Sequence, residues 1–284
     1  MRRNLNYQND SPSLYLIPTP IGNLEDMTYR AVKTLNEVDI IYAEDTRVTK
    51  KLLSYYQVDK PLYSLHEHNE EKRILEIIDQ LKNNFKVGIV SDAGMPIISD
   101  PGYSLVSEAL KENINVIALP GANALLTALV MSGLKPHPFM FFGFLNSRTK
   151  KRKDELERVR YYSETLIFYE AIHRIKACLK DMYEVLGERD FVIAREISKT
   201  YEEIIRGKLS EYEDLDNLKG ELVVIVSGYE EDHKSDLSIV EQVDYFINTG
   251  MKKTEAMKKV AEMTKKPKNL IYQEYLEDKI KEDK

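Results

Sequence analysis

Three short stretches concentrate side chains able to move protons or hold charge. The first, SDAGMPIISDPG (91–102), sets Asp92 and Asp100 among two glycines and two prolines. A loop of this kind leaves backbone polar groups unpaired, and Gly and Pro fix their directions. It suits a small polar ligand held by main-chain contacts. Asp92 and Asp100 could accept hydrogen bonds from ligand hydroxyl or ammonium groups. The plainer reading is an Asx-turn, with Asp100 capping a helix that starts near 103.

The second stretch, AEDTRVTKKLL (43–53), offers Glu44, Asp45, Arg47 and Lys50. Structurally, Thr46 could cap the next helix, with Asp45 suited to its dipole. Chemically, Arg47 suits a phosphate and a carboxylate suits a general base. The third, LHEHNE (65–70), carries His66, Glu67, His68, Asn69 and Glu70. Two histidines beside a glutamate invite a metal reading. The chain has only five His and one Cys, and no further ligand set accompanies the pair, so the expectation is no metal. A fourth loop, PTPIGNLEDMT (18–28), holds only Gly22. It lacks the G-x-G-x-x-G fingerprint, which disfavours a nicotinamide oxidoreductase.

These loops need a frame. Apolar runs at 14–17, 38–43, 61–65, 86–90 and 115–119 alternate with helical spacing at 27–38, 46–56, 67–83, 103–112 and 122–133. Strands joined by crossover helices imply a mostly parallel sheet, with ligands beyond its carboxyl ends. All the chemistry-bearing loops fall at such ends. The segment 134–140, with two prolines, predicts a domain connector. A second α/β unit follows: strands at 139–144, 165–170, 191–196, 200–207 and 221–228, helices at 148–160 and 171–186. Short connections predict some antiparallel pairing there. Three short helices close the chain at 238–248, 252–264 and 268–278. The expected organisation is a tail (1–13), α/β domains at 14–133 and 134–229, and a helical, helix-turn-helix-like appendage at 236–284.

Composition narrows the class. The 284 residues suit two domains and an appendage. No apolar stretch spans a bilayer, and the arginines at the N-terminus lack a following apolar region, so a cytoplasmic protein is expected. Cys178 reads as a buried hydrophobe. The net charge of −6 counts against a generic nucleic-acid binder. It leaves room for local basic patches at 148–153 (RTKKRK) and at 252–268, where seven lysines face two glutamates. Solvated helix surface is the bland reading of both.

Taken together, LYLIPTPIGNLEDMT, AEDTR, LHEHNE, SDAGMPIISDPG and LPGANALLTAL resemble the ribosomal-RNA-methylating branch of the tetrapyrrole methylase superfamily. The likeness runs on through IFYEAIHRI, AREISKTYEEIIRG and GELVVIVSG, so it covers roughly 14–228. Other branches read GxGxGD and GDP where this chain has PTPIGN and SDAG. The resemblance implies two α/β domains, a homodimer, and S-adenosylmethionine in the cleft between domains. It implies methylation of a cytidine 2′-hydroxyl in the decoding region of 16S rRNA, and the overall acidity points to an assembled 30S particle rather than naked RNA. Matching motifs would place the cofactor against Pro18, Thr19 and Pro20, against Asp92, Ala93 and Gly94, against Ala122 and Asn123, and against Phe168, Tyr169 and Glu170. A ribose hydroxyl needs its proton removed during attack. Glu44, Asp45 and His66 are the candidate bases, Arg47 the RNA-phosphate ligand, and Asn69 an orienter of the ribose. The rivals are a tetrapyrrole or other small-molecule methyltransferase and a non-catalytic ribosome-assembly factor.

Overall fold

The computed structural model describes residues 13–215, 218–230, 238–264 and 266–282. The expected tail lies outside these residues except Ser13, which already belongs to the first strand. Residues 236, 237, 265, 283 and 284 of the expected appendage also lie outside them.

The first sheet comprises β1 (Ser13–Ile17), β2 (Ile40–Ala43), β3 (Leu62–Ser64), β4 (Val87–Val90) and β5 (Asn115–Ala118). Its order is β3-β2-β4-β1-β5, and every pair is parallel. β2 and β4 are buried throughout, as their unbroken apolar runs require of strands covered on both faces. The helices α1 (Tyr29–Glu37), α2 (Thr46–Tyr55), α3 (Glu70–Lys82) and α4 (Tyr103–Lys111) supply the cover. Thr28 caps α1 by accepting the Ala31 N–H at 3.1 Å. That cap starts the helix two residues later than its apolar spacing suggests. Neighbouring β1 and β4 send their connections in opposite directions across the sheet. The crevice between their carboxyl ends is therefore the switch point where α/β sheets bind ligands.

The second sheet runs β6-β7-β10-β8-β9. Its strands are β6 (Phe139–Phe144), β7 (Thr165–Ala171), β8 (Asp190–Arg195), β9 (Glu203–Lys208) and β10 (Glu221–Val226). β6 and β7 are parallel, and the other pairs are antiparallel, as the short connections predict. The fourth of these starts at Glu203, after a turn that takes up 200–202. Alternation along β10 builds two cores. Leu222, Val224 and Val226 join α6 (Thr149–Glu157) and α7 (Ile175–Leu186) on one face. Val223 and Ile225 face α5 (Ala124–Ser132) on the other. α5 follows the last strand of the first sheet, yet its Leu125, Ala128 and Leu129 pack on the second. It thereby ties the two units together.

The last helices, α8 (Ile239–Asn248), α9 (Lys253–Thr264) and α10 (Lys268–Glu282), close a small core around Val243, Phe246, Met257, Val260 and Ile271. Ser238 and Glu241 form a reciprocal capping box at the start of α8.

Candidate active site

The loop after β4 is held in shape by the loop after β1. Thr19 and Gly94 exchange backbone hydrogen bonds of 2.9 and 3.1 Å. Thr19 Oγ1 donates to the Ser91 carbonyl at 3.1 Å, and Ser91 Oγ donates to the Gly94 carbonyl at 2.9 Å. Pro18 lies so close to Gly121 that a Cβ there would sit 2.5 Å from the proline Cβ. The close approach needs glycine. Further along the same loop, Ile97 and Ser99 adopt positive φ of 75° and 67°. For a β-branched residue such as Ile97 that is strain, held by its surroundings, and such strain gathers at functional sites. Gly102 serves as the N-cap of α4. Its N–H donates to Glu70 Oε1 at 3.1 Å. Asp100 is therefore not the helix cap that spacing suggests.

Beyond this loop lies a cleft of about 500 Å³ between the two sheets. Asp92, Ala93 and Gly94 line it from the first unit, together with Asn123 at the start of α5. Tyr169 and Glu170 line it from β7. Six of the expected cofactor residues thus meet around one space. The other five do not line it. Pro18 and Thr19 stand behind, bracing the loops. Phe168 points away, into the core with α6 and α7, and stacks on Phe142 at 5.3 Å. The reason is the strand period: Phe168 and Tyr169 are adjacent and must face opposite sides. Glu170 is almost wholly buried and already paired, with its Oε1 3.1 Å from Arg174 Nε.

Sequence reasoning missed much of this wall. Ile21, Met95 and Ile98 supply apolar surface from the first unit. Ile172, His173 and residues 220–223 line it from the second. Gly220–Val223 reads only as the start of a strand, and nothing in its composition marks a binding surface.

At the mouth of the first sheet the candidate proton-transfer groups gather. Glu44, Asp100, Pro96 and Ser91 line a small adjoining cavity, and Asp100 lines the large cleft as well. Burial raises the Glu44 carboxyl above its usual value, and Asp92 and Glu67 push it further up. Burial, then Glu44 and Asp92, lift Asp100 to about 6. Carboxyl groups held up in a cleft are candidates for proton transfer near neutral pH. Asp45 differs. It, rather than Thr46, caps α2, accepting the Arg47 N–H at 2.8 Å. The Arg47 guanidinium donates to both its oxygens, with Nη2 at 2.6 Å from Oδ2. That contact pulls the Asp45 carboxyl down to about 2. Asp45 is thus a weaker base than Glu44. Arg47 itself is 88% exposed and well placed for a macromolecular anion. His66 and Asn69 form a local network at the end of β3, with Asn69 Oδ1 accepting the His66 N–H at 2.9 Å.

The basic stretches fare unequally. Arg152, within RTKKRK, is buried against Asp181, with Nε–Oδ2 at 2.7 Å. Lys153 pairs with Glu184. Both are therefore spent on the α6–α7 contact. In the appendage, Lys253 lies over the Tyr275 ring and Lys259 over Phe246, at 4.6 and 4.5 Å. Lys252 and Lys258 are exposed, and Lys265 lies outside the described residues. Among the described residues, no group of three or more His, Cys, Asp or Glu is arranged to hold a metal ion. No helix there is long and apolar enough to cross a membrane.

Residues 13–213 match the family of tetrapyrrole (corrin/porphyrin) methylases. The chain is 46% identical to the ribosomal RNA small subunit methyltransferase I of Bacillus subtilis (strain 168), over 97% of this chain and 98% of that one. It is 42% identical to the protein of the same name from Vibrio cholerae, over 98% and 99%. Among solved structures it is similar to a diphthine synthase, with a TM-score of 0.62 and 14% identity, covering 76% of this chain and 90% of that one. A uroporphyrin-III C-methyltransferase from Thermus thermophilus, complexed with S-adenyl homocysteine, gives 0.53 and 19%, covering 75% and 96%.

Proposed function

From the premise that the chain belongs to the tetrapyrrole methylase family, we propose that it methylates the ribose 2′-hydroxyl of a cytidine in the decoding region of 16S rRNA, in the cytoplasm and on the assembled 30S particle. The observation that carries this reading is the near-full-length likeness to two proteins named ribosomal RNA small subunit methyltransferase I. The likeness extends past the shared methylase core to the helical appendage. The proposed domain division is 14–133, 134–229 and 236–284, with α5 reaching across the first boundary. The proposed assembly is a homodimer.

The cleft fits S-adenosylmethionine. Apolar walls from Ile21, Met95 and Ile98 suit an adenosine, and the Asp92 and Asp100 carboxylates suit a ligand carrying an ammonium and a sulfonium. When bound, that cofactor supplies an electrophilic methyl group. The chain's own residues do the rest. The loop 91–102, stiffened by Thr19 and Ser91, fixes the reaction geometry, which is a large part of catalysis for an in-line displacement. Glu44 takes the 2′-hydroxyl proton, and its raised affinity for a proton fits it for that role. Asp100 links the Glu44 cavity to the cofactor cleft and passes the charge effect between them. Arg47 engages an RNA phosphate, exchanging its contact with Asp45 for one with the substrate.

The test uses radiolabelled S-adenosylmethionine with 30S subunits from a strain lacking the gene. Free 16S rRNA and a tetrapyrrole precursor are run beside them. The expected result is label in 30S rRNA, mapped to an alkali-resistant 2′-O-methylcytidine. Label in the tetrapyrrole alone moves the enzyme to the small-molecule branch. Cofactor binding without transfer to any of the three favours an assembly factor.

A further inference from the structure

His66 reads in the sequence as a candidate base, but its neighbours suit it to the opposite task. Asn69 Oδ1 accepts the His66 backbone N–H at 2.9 Å. Asn69 Nδ2 donates to the Ser64 carbonyl at 3.2 Å and to Ser64 Oγ at 3.1 Å. Reversing the amide would set its hydrogens against the His66 N–H and its oxygen against the Ser64 carbonyl. Both ends therefore demand the same orientation. The nitrogen end so fixed lies 3.2 Å from His66 Nε2. An amide nitrogen donates and does not accept. Nε2 must therefore present its lone pair, because a proton there would oppose the amide hydrogens. The neutral ring then carries its proton on Nδ1. His66 Nδ1 is buried and makes no hydrogen bond among the described residues. A buried N–H without an acceptor is costly, and each such group needs a reason. The ring is also near enough to Glu44 for a positive charge on it to lower that carboxyl's affinity for a proton.

We propose that His66 is a hydrogen-bond donor, through Nδ1–H, to an oxygen of the substrate nucleotide, and that Asn69 and Ser64 are positioning residues that lock this tautomer. The proposal rests on the reading of an RNA ribose as substrate. It takes Asn69 away from the ribose, since its amide is already committed within the protein. It also leaves proton removal to the carboxylates. The acceptor is an anionic or developing-anion oxygen, either the attacking 2′-oxygen or an adjacent phosphate.

Side-chain isosteres test the role. The amide nitrogen of Asn overlies Nδ1 of His, and that of Gln overlies Nε2. His66→Asn is expected to keep most of the wild-type kcat/KM for rRNA, whereas His66→Gln and His66→Ala lose about a hundredfold, the usual scale for one donor to developing charge. Equal loss in all three overturns the donor role. The ¹⁵N spectrum of the His66 ring in the full chain is the second readout and needs no substrate. The expected form has Nδ1 protonated and Nε2 bare, shifting toward protonated Nε2 in Asn69→Ala. Protonated Nε2 in the wild type overturns the proposal whatever the activity. A wild type with the expected spectrum but no transfer to rRNA would instead refute the substrate reading. An RNA with a 2′-deoxy target nucleotide separates the acceptors. A binding defect of His66→Ala that persists with it names the phosphate, and one that disappears names the 2′-oxygen.

Discussion

Two neighbouring carboxylates, Glu44 and Asp45, have opposite fates. Glu44 is partly buried beside other acids and holds its proton above the usual carboxylate range. Asp45 is clamped by Arg47 and stays ionised to about pH 2. Glu44→Gln is therefore expected to lower kcat about 10²–10⁴-fold, the range for losing a general base. Asp45→Asn keeps the helix cap and should retain most of the activity. Steady-state methyl transfer decides between them, and a comparable loss in Asp45→Asn would restore it as the base. Asp100 makes a pH-dependent prediction. Its folded-state value, about 6, is above the ordinary aspartate value. The folded protein thus binds that proton more tightly than the unfolded chain. Stability is lost as pH rises from about 4 through 6. Asp100→Asn should stabilise the protein by roughly 1 kcal/mol at pH 7, after discounting for solvent screening. The gain should vanish below pH 4, as read by urea unfolding across pH. A variant no more stable at pH 7 would mean that the charge is not held against solvation.

At the scale of elements, α5 carries the most consequence. Its sequence, ALLTALVMS, is apolar nearly all round. A helix of that kind is expected to be covered on every side. One face packs on the second sheet, yet Leu126 is 47% and Val130 75% exposed. In the proposed homodimer the outer face is the natural contact. Val130→Glu is expected to shift the protein toward monomer in sedimentation velocity without loss of helix content. An unchanged sedimentation coefficient would place the dimer contact elsewhere. The inner face makes a separate prediction. Leu129→Ala should cost about 2–5 kcal/mol, the range for emptying a packed leucine site, as measured by denaturant unfolding. A loss well below that would mean that the α5 contact relaxes readily. The same element joins the two units, so its loosening should also weaken cofactor binding.

At the scale of the molecule, charge distribution matters more than net charge. The chain is acidic overall, so an RNA footprint must be local. All four of Lys252, Lys253, Lys258 and Lys259 are exposed, and Lys253 and Lys259 also lie over aromatic rings. Lys252→Glu with Lys258→Glu should weaken rRNA-particle binding, flatten its dependence on salt, and leave S-adenosylmethionine binding unchanged by calorimetry. Unaltered affinity for the particle would remove the appendage from the RNA-binding surface.

Much of this was legible before folding. Unbroken apolar runs such as VGIV (87–90) announced buried parallel strands, because a strand covered on both faces has no polar positions. The Gly- and Pro-rich loop 91–102 read as a ligand loop because such residues set backbone directions locally, and it does line the cleft. Cys178, placed as a buried hydrophobe by its helical surroundings, is fully buried. What the sequence left open depended on contacts between distant residues. Thr19 reads as a ligand contact, and only its pairing with Gly94, 75 residues away along the chain, turns it into a brace. Arg152 reads as surface charge until Asp181 arrives beside it on another helix. Phe168 and Tyr169 are equivalent as a motif, and the facing of β7 separates them. Likewise the proton affinities of Glu44 and Asp100 come from burial and from neighbouring carboxylates. Residue types and local spacing settled which elements form and pointed to a loop that lines the cleft. The division of labour within the site was decided only by tertiary structure, because through-space electrostatics and side-chain direction have no local signature.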